Sequence, residues 1–381
     1  MASLTSRPAL RWLVPAAAAA LVIGGGAAAG TIVANADPAL PERSAAQLLA
    51  DLQTAEVAGL SGTVVQRADL GLPPLTGLPG GNGEAAAQLT NLVAGSNTVR
   101  VWYAGEQKAR VAVLSALGEM DVIRNGTDVW FWNSKEKSAT HLTVPADAGS
   151  SAERRPAELP ATPQAAADAA LAAIDPTTKV TTTGTAEVAG RDAYELVLAP
   201  RDTASLIGQV RMAIDAEHKI PLRVEVYAKD AVQPAFKVAF EQVDFAVPDA
   251  EQFAFNPPPG TKVTDEAVPA EPEKAGKPER TAPKAPAQRD AAEGGPTVIG
   301  TGWTSIVVAK ADVNKAAQEA GDQAEGAAVT QFLNALPKVS GAWGSGNLLQ
   351  SALFSVLVTD DGRILAGAVA PEKLYEAAAK K

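Results

Sequence analysis

Side chains suited to proton transfer or metal binding are scarce in this chain, which has two histidines, His141 and His218, and no cysteine. Without cysteine there is no disulfide, thiolate nucleophile, Cys-ligated zinc or lipid-bearing cysteine, so packing alone must hold the fold. The histidines lie far apart with no metal-ligand spacing and read as ordinary surface or strand residues. No serine sits in a Gly-x-Ser-x-Gly elbow, and neither histidine has a nucleophile partner. The glycine-rich GAWGSGN at 341–347 lacks the Gly-Lys-Ser/Thr ending and the βαβ setting of a phosphate-cradling loop. Asp360-Asp361-Gly362 lacks calcium-hand spacing and reads as a turn between two apolar runs. Asn125-Gly126-Thr127 is formally a glycosylation sequon, but a hairpin already accounts for it. Catalysis by paired carboxylates would need a sugar-binding cleft, for which nothing in the chain argues. The expectation is a non-enzyme with no catalytic residue, no metal and no cofactor.

Composition narrows the class further. A net charge of −10 over 381 residues supplies no basic stripe to displace counterions from phosphates, which argues against nucleic acid as a partner. Arg7 and Arg11 precede WLVPAAAAALVIGGGAAAGTIVANA, a run without a charge before Asp37. This is an export segment over residues 1–36, and two readings stand. It is either a signal peptide cleaved between Ala36 and Asp37 after a small-x-small triplet, or an uncleaved anchor longer than the ~20 residues that span a bilayer. Both deliver the rest of the chain outside the cytoplasm, membrane-associated or secreted.

The elements follow from periodicity. PERSAAQLLADLQTAEV, within 43–58, is an amphipathic helix with Leu48, Leu49, Leu52 and Val57 on or near one face. LSGTVVQRADLGL starts as a strand; TVRVWY, ARVAVL and MDVIRNGTDVWFW alternate in period two, the last turning at Asn125-Gly126 as a type I′ hairpin. Trp130 and Trp132 therefore share one face of a strand, with Val129 and Phe131 on the other. NSKEKSATHL is a polar turn and a further strand. After a helix at 163–174, strands resume at TKVTTTGTAEV, DAYELVLAP, QVRMAID, PLRVEVY, AFKVAFEQVDF and the short QFAFNPPPG. Val210, Met212 and Ile214 alternate with Arg211, Ala213 and Asp215, and Leu222, Val224 and Val226 with Arg223, Glu225 and Tyr227, which predicts one apolar and one wet face. Residues 257–296, rich in Pro, Glu, Lys and Ala, read as a disordered linker, and 297–381 as a small C-terminal α+β region.

A large antiparallel sheet with few helices must bury its apolar face on itself, on a helix or on a ligand. Leu70, Leu72, Leu75 and Leu78 stand among prolines and glycines, either as a mobile flap over an apolar cavity or as a loop packed on its mouth.

The order of segments, from the exported amphipathic helix through DVWFWNSKEKSATHL, AYELVLAPRD, VRMAIDAEHKIPLRVEVY and VAFEQVDF to FAFNPPPGTKV, resembles the LolA/LolB/LppX superfamily. Its RseB/MucB-like and Gram-positive sporulation-lipoprotein-like members are nearest in flavour. The resemblance covers about residues 43–264 and implies an α+β fold: an incomplete antiparallel β-barrel with covering helices over residues 37–256, holding acyl chains of lipids or lipoproteins. Cavity and lid candidates are Leu72, Leu75, Leu78, Val99, Val101, Val129, Phe131, Met212, Ile214, Val224 and Val226. The carriers of this superfamily use a cavity-facing arginine, for which Arg100 and Arg110 are the candidate counterparts. Three functions stay open: an acyl-chain carrier, an RseB-like envelope-stress regulator contacting a membrane-bound anti-sigma factor through residues 297–381, and a structural envelope protein with a filled core.

Overall fold

The computed structural model of the chain describes residues 40–72, 94–115, 118–144, 175–267, 296–310 and 335–380. The export segment, Leu75, Leu78 and the expected helix at 163–174 lie outside them. No helix among the described residues is long and apolar enough to cross a membrane.

The chain opens on helix α1 (Ala45–Thr54), started by a capping box: Gln47 N donates to Ser44 Oγ at 3.2 Å and Ser44 N to Gln47 Oε1 at 2.9 Å. Leu48, fully buried, packs on Tyr194, Leu196 and Ile214. One run of strands follows, β1 (Leu60–Asp69), β2 (Ala94–Tyr103), β3 (Lys108–Ser115), β4 (Gly118–Asn125), β5 (Asp128–Asn133) and β6 (Ser138–Thr143). A second contains β7 (Thr178–Val188), β8 (Arg191–Pro200), β9 (Ile207–Asp215), β10 (Pro221–Ala228) and β11 (Pro234–Asp244). Each run is an antiparallel meander in chain order, and β1 pairs with β11 to fuse them into one sheet. Gly62 makes that pairing feasible, because a Cβ there would strike Gln242 O and lie 2.9 Å from the Phe240 ring.

Turn chemistry departs from the sequence expectation in an instructive way. At the β4–β5 turn only Gly126 has positive φ, 65°, and Asn125 stays in the strand paired with Asp128, so the two-residue loop is Gly126-Thr127. The loop with both central residues at positive φ is Ala189-Gly190, at 53° and 73°, between β7 and β8. The turn after Asp215 and the one at Asp360–Gly362 are formed where expected.

Two further expectations are corrected. QFAFNPPPG is not a strand: Ala250–Phe253 is a 3-10 turn that buries Phe253 and sets Phe255 against Trp130 and Trp132. The prolines after Asn256 supply no N–H for a ladder. The expected linker also starts too early at 257, since Lys262–Ala267 forms β12, parallel to β6 on the sheet edge. Backbone pairing holds this strand although four of its six residues are polar or charged. The twelve-stranded sheet thus ends in β12 on one side and β7 on the other, and these two do not pair.

A second, six-stranded antiparallel sheet is built from β13 (Thr297–Ile299), β14 (Ile306–Lys310), β15 (Lys338–Gly341), β16 (Gly344–Gln350), β17 (Ser355–Thr359) and β18 (Arg363–Gly367). Helix α2 (Pro371–Ala379) packs Leu374, Ala377 and Ala378 on Ile306, Leu357 and Leu365. GAWGSGN is the β15–β16 hairpin, with Trp343 stacked on Tyr375 of α2 at 5.6 Å. This small sheet touches the large one at several strand ends: Leu206 N donates to Ala368 O and Ala352 N to Leu70 O, both at 2.8 Å, and Trp303 Nε1 donates to Thr178 Oγ1 at 2.7 Å.

Gly62→Ala is expected to cost about 1–3 kcal/mol through overpacking at the β1–β11 junction. A lowered urea midpoint with unchanged slope would report it.

Candidate functional site

Because antiparallel partners share a face, the registers Val226↔Val210, Val224↔Val238, Phe240↔Val64, Val64↔Val99 and Val111↔Val122↔Phe131 trace one continuous side of the sheet. Eight of the apolar candidates, Val99, Val101, Val129, Phe131, Met212, Ile214, Val224 and Val226, lie on it. Ile214 and Val101 are almost fully buried, Phe131 and Val224 nearly so, and the other four are half-buried.

Apolar residues of this side gather in three clusters. Helix α1 covers Ile214 with Met212 and Leu198 beside it. The centre collects Leu60, Val64, Val101, Val111 and Phe240, with Val99 at its margin. At the β1 exit, Leu70 packs with Ala235 and with Leu353 of the second sheet, and Leu72, Val226, Phe236 and Phe354 surround them. Leu70 and Leu72, the described leucines of the expected flap, are in packed contact here, while Leu75 and Leu78 lie outside the described residues.

Arg100 and Arg110 are not on this side. Each stands next to a valine of the apolar row, and a period of two sends it to the opposite face. Arg100 is exposed. Arg110 pairs with Asp121 at 2.8 Å and lies 5.2 Å over the Trp102 ring. Burial pushes the Asp121 carboxyl above its ordinary range even though Arg110 pulls it down.

The opposite face was expected to be wet and is largely buried. Arg223 is 1% exposed, and its guanidinium is paired with Glu195. Glu225, also buried, receives Lys237 Nζ at 3.1 Å and the Tyr227 hydroxyl at 3.0 Å, while Arg211 lies 4.9 Å over the Tyr227 ring. Burial first, then the Glu225 charge, pushes the Tyr227 hydroxyl up to about 12. Asp215, fully buried, takes N–H groups of Glu217 and His218; burial raises its carboxyl, but Arg191 and those N–H groups more than offset this and hold it below the usual carboxylate range. Alternating polar residues read as solvent-facing because a single strand cannot reveal that its neighbours carry the opposite charges.

On the same face, Trp130 and Trp132 lie against Phe255 at 5.3 and 5.9 Å, as their strand parity required. His141, expected to be ordinary, stacks on Trp130 at 4.3 Å and bridges two carboxylates. The hairpin register hinted at Asp128, but the second carboxylate, Asp265, belongs to β12 and carried no sequence signal.

The large sheet is thus open, with one long apolar side and buried charge pairs on the other. Residues 87–271, a stretch that includes β2 to β12, match the model of the MucB/RseB N-terminal domain. The superfamily resemblance is thereby narrowed to its MucB/RseB branch. Among solved structures, MucB in the Pseudomonas aeruginosa MucA/MucB complex is 16% identical, with a TM-score of 0.43 over 88% of this chain and 96% of that one. A conserved protein from Thermus thermophilus is 11% identical, TM-score 0.32, covering 58% and 98%. A LolA-superfamily protein from Nitrosomonas europaea is 10% identical, TM-score 0.22, covering 56% and 99%. Among curated proteins there is no match.

Truncating Arg223 to Ala leaves Glu195 without its buried partner and is expected to cost about 3–5 kcal/mol. Arg223→Met combined with Glu195→Gln should cost less than Arg223→Met alone, which a double-mutant cycle in urea would measure.

Proposed function

We propose that the chain is an exported envelope regulator of the MucB/RseB type, whose incomplete barrel senses its signal on the apolar side and which binds a membrane-bound partner of the anti-sigma class. The observation that carries this reading is the domain match over residues 87–271. The complex of MucB with MucA supports the partner half of it by analogy. The contact of the second sheet with the strand ends favours residues 297–381 as the region through which a partner is felt. Export rests on the run before Asp37, with processing between Ala36 and Asp37. The linker in this reading runs from 268 to 295.

A second reading, acyl-chain binding in the manner of a carrier, is favoured by the eight apolar candidates sharing one side. The two separate by experiment. Solvent extraction of the purified exported chain followed by mass spectrometry should yield acyl species if the apolar side is filled by lipid. Capture of a membrane protein that is lost when 297–381 are removed supports the regulator, and capture that persists without them counts against it.

The two faces give a sharper check. A glutamate at Val99, half-buried on the apolar side, is expected to weaken a fluorescent fatty-acid probe by about tenfold, since one charge in an apolar site costs more than ~1.4 kcal/mol. Arg100→Glu, one residue away on the exposed opposite face, should leave probe binding unchanged, with circular dichroism confirming that both variants fold. Equal loss in both would mean that the probe does not bind the apolar side.

A further inference from the structure

β12 is held in an unusual way for a strand of this sheet. It pairs in parallel with β6 from Lys262↔Ser138 to Ala267↔Thr143, whereas the other strand pairs of the sheet are antiparallel. Parallel pairing is slightly weaker per residue. The side chains from Lys262 to Asp265 are all exposed, Val263 among them at 43%, and Glu266 is half-buried, so β12 gains little from apolar burial. An edge strand with ladder bonds and few buried contacts belongs to the low-stability end of a fold.

One specific side-chain clasp supplements the ladder. His141 Nδ1 lies 3.0 Å from Asp265 of β12 and Nε2 lies 2.8 Å from Asp128 of β5. Ionised carboxylates only accept hydrogen bonds, so both contacts require both ring nitrogens to carry protons, which is the imidazolium form. A neutral ring keeps one N–H and loses one of the two bonds. The charged groups facing the ring are these two aspartates; on its flat side lies Trp130, itself backed by Phe255 from the segment after β11.

We propose that the β6 edge is an acceptor site for an extended acidic peptide strand of another protein, that β12 is its resident occupant, and that His141 recognises the strand by a carboxylate set opposite it. Strand addition to a sheet edge draws affinity from main-chain bonds and specificity from a few side chains. The positive ring between β5 and the incoming strand selects an acidic residue at one register position, and Asp265 satisfies that requirement from within the chain. The inference is independent of the regulatory reading, because the edge would accept a strand whatever the apolar side binds.

The pH dependence has a definite sign. Burial opposes protonation of His141, but its hydrogen bonds to Asp128 and Asp265 outweigh burial and hold the imidazole above its ordinary value. A raised histidine contributes stability that is complete below the unfolded value, ~6.5, and lost as pH rises through the folded value. Strand retention therefore weakens on the alkaline side.

The probe is a fluorescein-labelled, end-capped peptide with the sequence of residues 260–268, GTKVTDEAV. The full chain carrying Asp265→Lys, whose own strand is repelled by His141, should bind it about tenfold more tightly at about pH 6 than the wild-type chain does, the worth of one charge-assisted hydrogen bond. A peptide with asparagine in place of the aspartate should bind about fivefold to tenfold more weakly. Raising the pH to about 8.5 should weaken the parent peptide, and His141→Gln should remove that dependence. No saturable binding, or equal binding of the asparagine peptide, overturns the proposal. If Asp265→Lys fails to fold, hydrogen exchange on the wild-type chain decides. Protection in β12, corrected for intrinsic rates, should fall with pH more than in β5, and a fall that is equal in both strands or unchanged by His141→Gln overturns the proposal.

Discussion

The pairing of β1 with β11 is the constraint on which the rest of the large sheet depends. The first strand of one meander and the last strand of the other must meet in register, Val64 on Phe240 and Val65 on Ala239, before the two become one sheet. Each meander is built from neighbouring hairpins, whereas this junction alone closes a loop that contains both, an ordering that must be reached before its contacts reward it. Side-chain parity then propagates outward from the junction. Once Val64 and Phe240 share a side, Val99 and Val101 on one flank and Val224 and Met212 on the other are placed on that side with them. A bulge between Thr63 and Val64 and the bare Cα of Gly62 let the two backbones approach there.

Burial of both faces changes what the polar alternation means. Arg223, Glu225 and Tyr227 of β10 stand opposite a row of valines and would be solvated in a two-layer fold. Instead Glu195 from β8 and Lys237 from β11 complete a charge cluster that spans four adjacent strands. Buried ion pairs add little net stability over an apolar equivalent, but leaving one half unpaired is costly. Slippage of β10 by one residue would carry Arg223 and Glu225 onto the side of Leu196 and Met212, away from Glu195 and Lys237. The cluster therefore penalises misregistered pairings next to the junction, while the apolar row favours the correct one.

Period-two alternation made most strands of the large sheet, the amphipathic helix at Ala45–Thr54 and the common side of the eight apolar candidates legible in the sequence. What escaped shares one physical cause. β12, the Asp128–His141–Asp265 bridge and the Arg223 cluster all depend on which strands lie beside each other, and strand order is not a local property. Lys262–Ala267 shows no apolar alternation because an exposed edge strand needs none. Arg100 and Arg110 have the chemistry of a cavity arginine, but strand parity sends both away from the valines they adjoin. The turn lies one residue later than the Asn-Gly pair suggested, with Gly126 alone of that pair at positive φ.

The strand directions also account for a long connection between the two sheets. The second sheet meets the large one at Leu70 after β1, at Thr178 at the start of β7 and at Ser205–Leu206 between β8 and β9, and antiparallel order places all of these at one end of the strands. β12 starts at that same end, since it runs parallel to β6, and so finishes at the other, on the edge farthest from β7. The chain leaving Ala267 must return the length of a strand, about 20 Å for six residues at ~3.3 Å each, and cross the sheet before it reaches Thr297. A short connection could not satisfy both requirements while β12 stays in place.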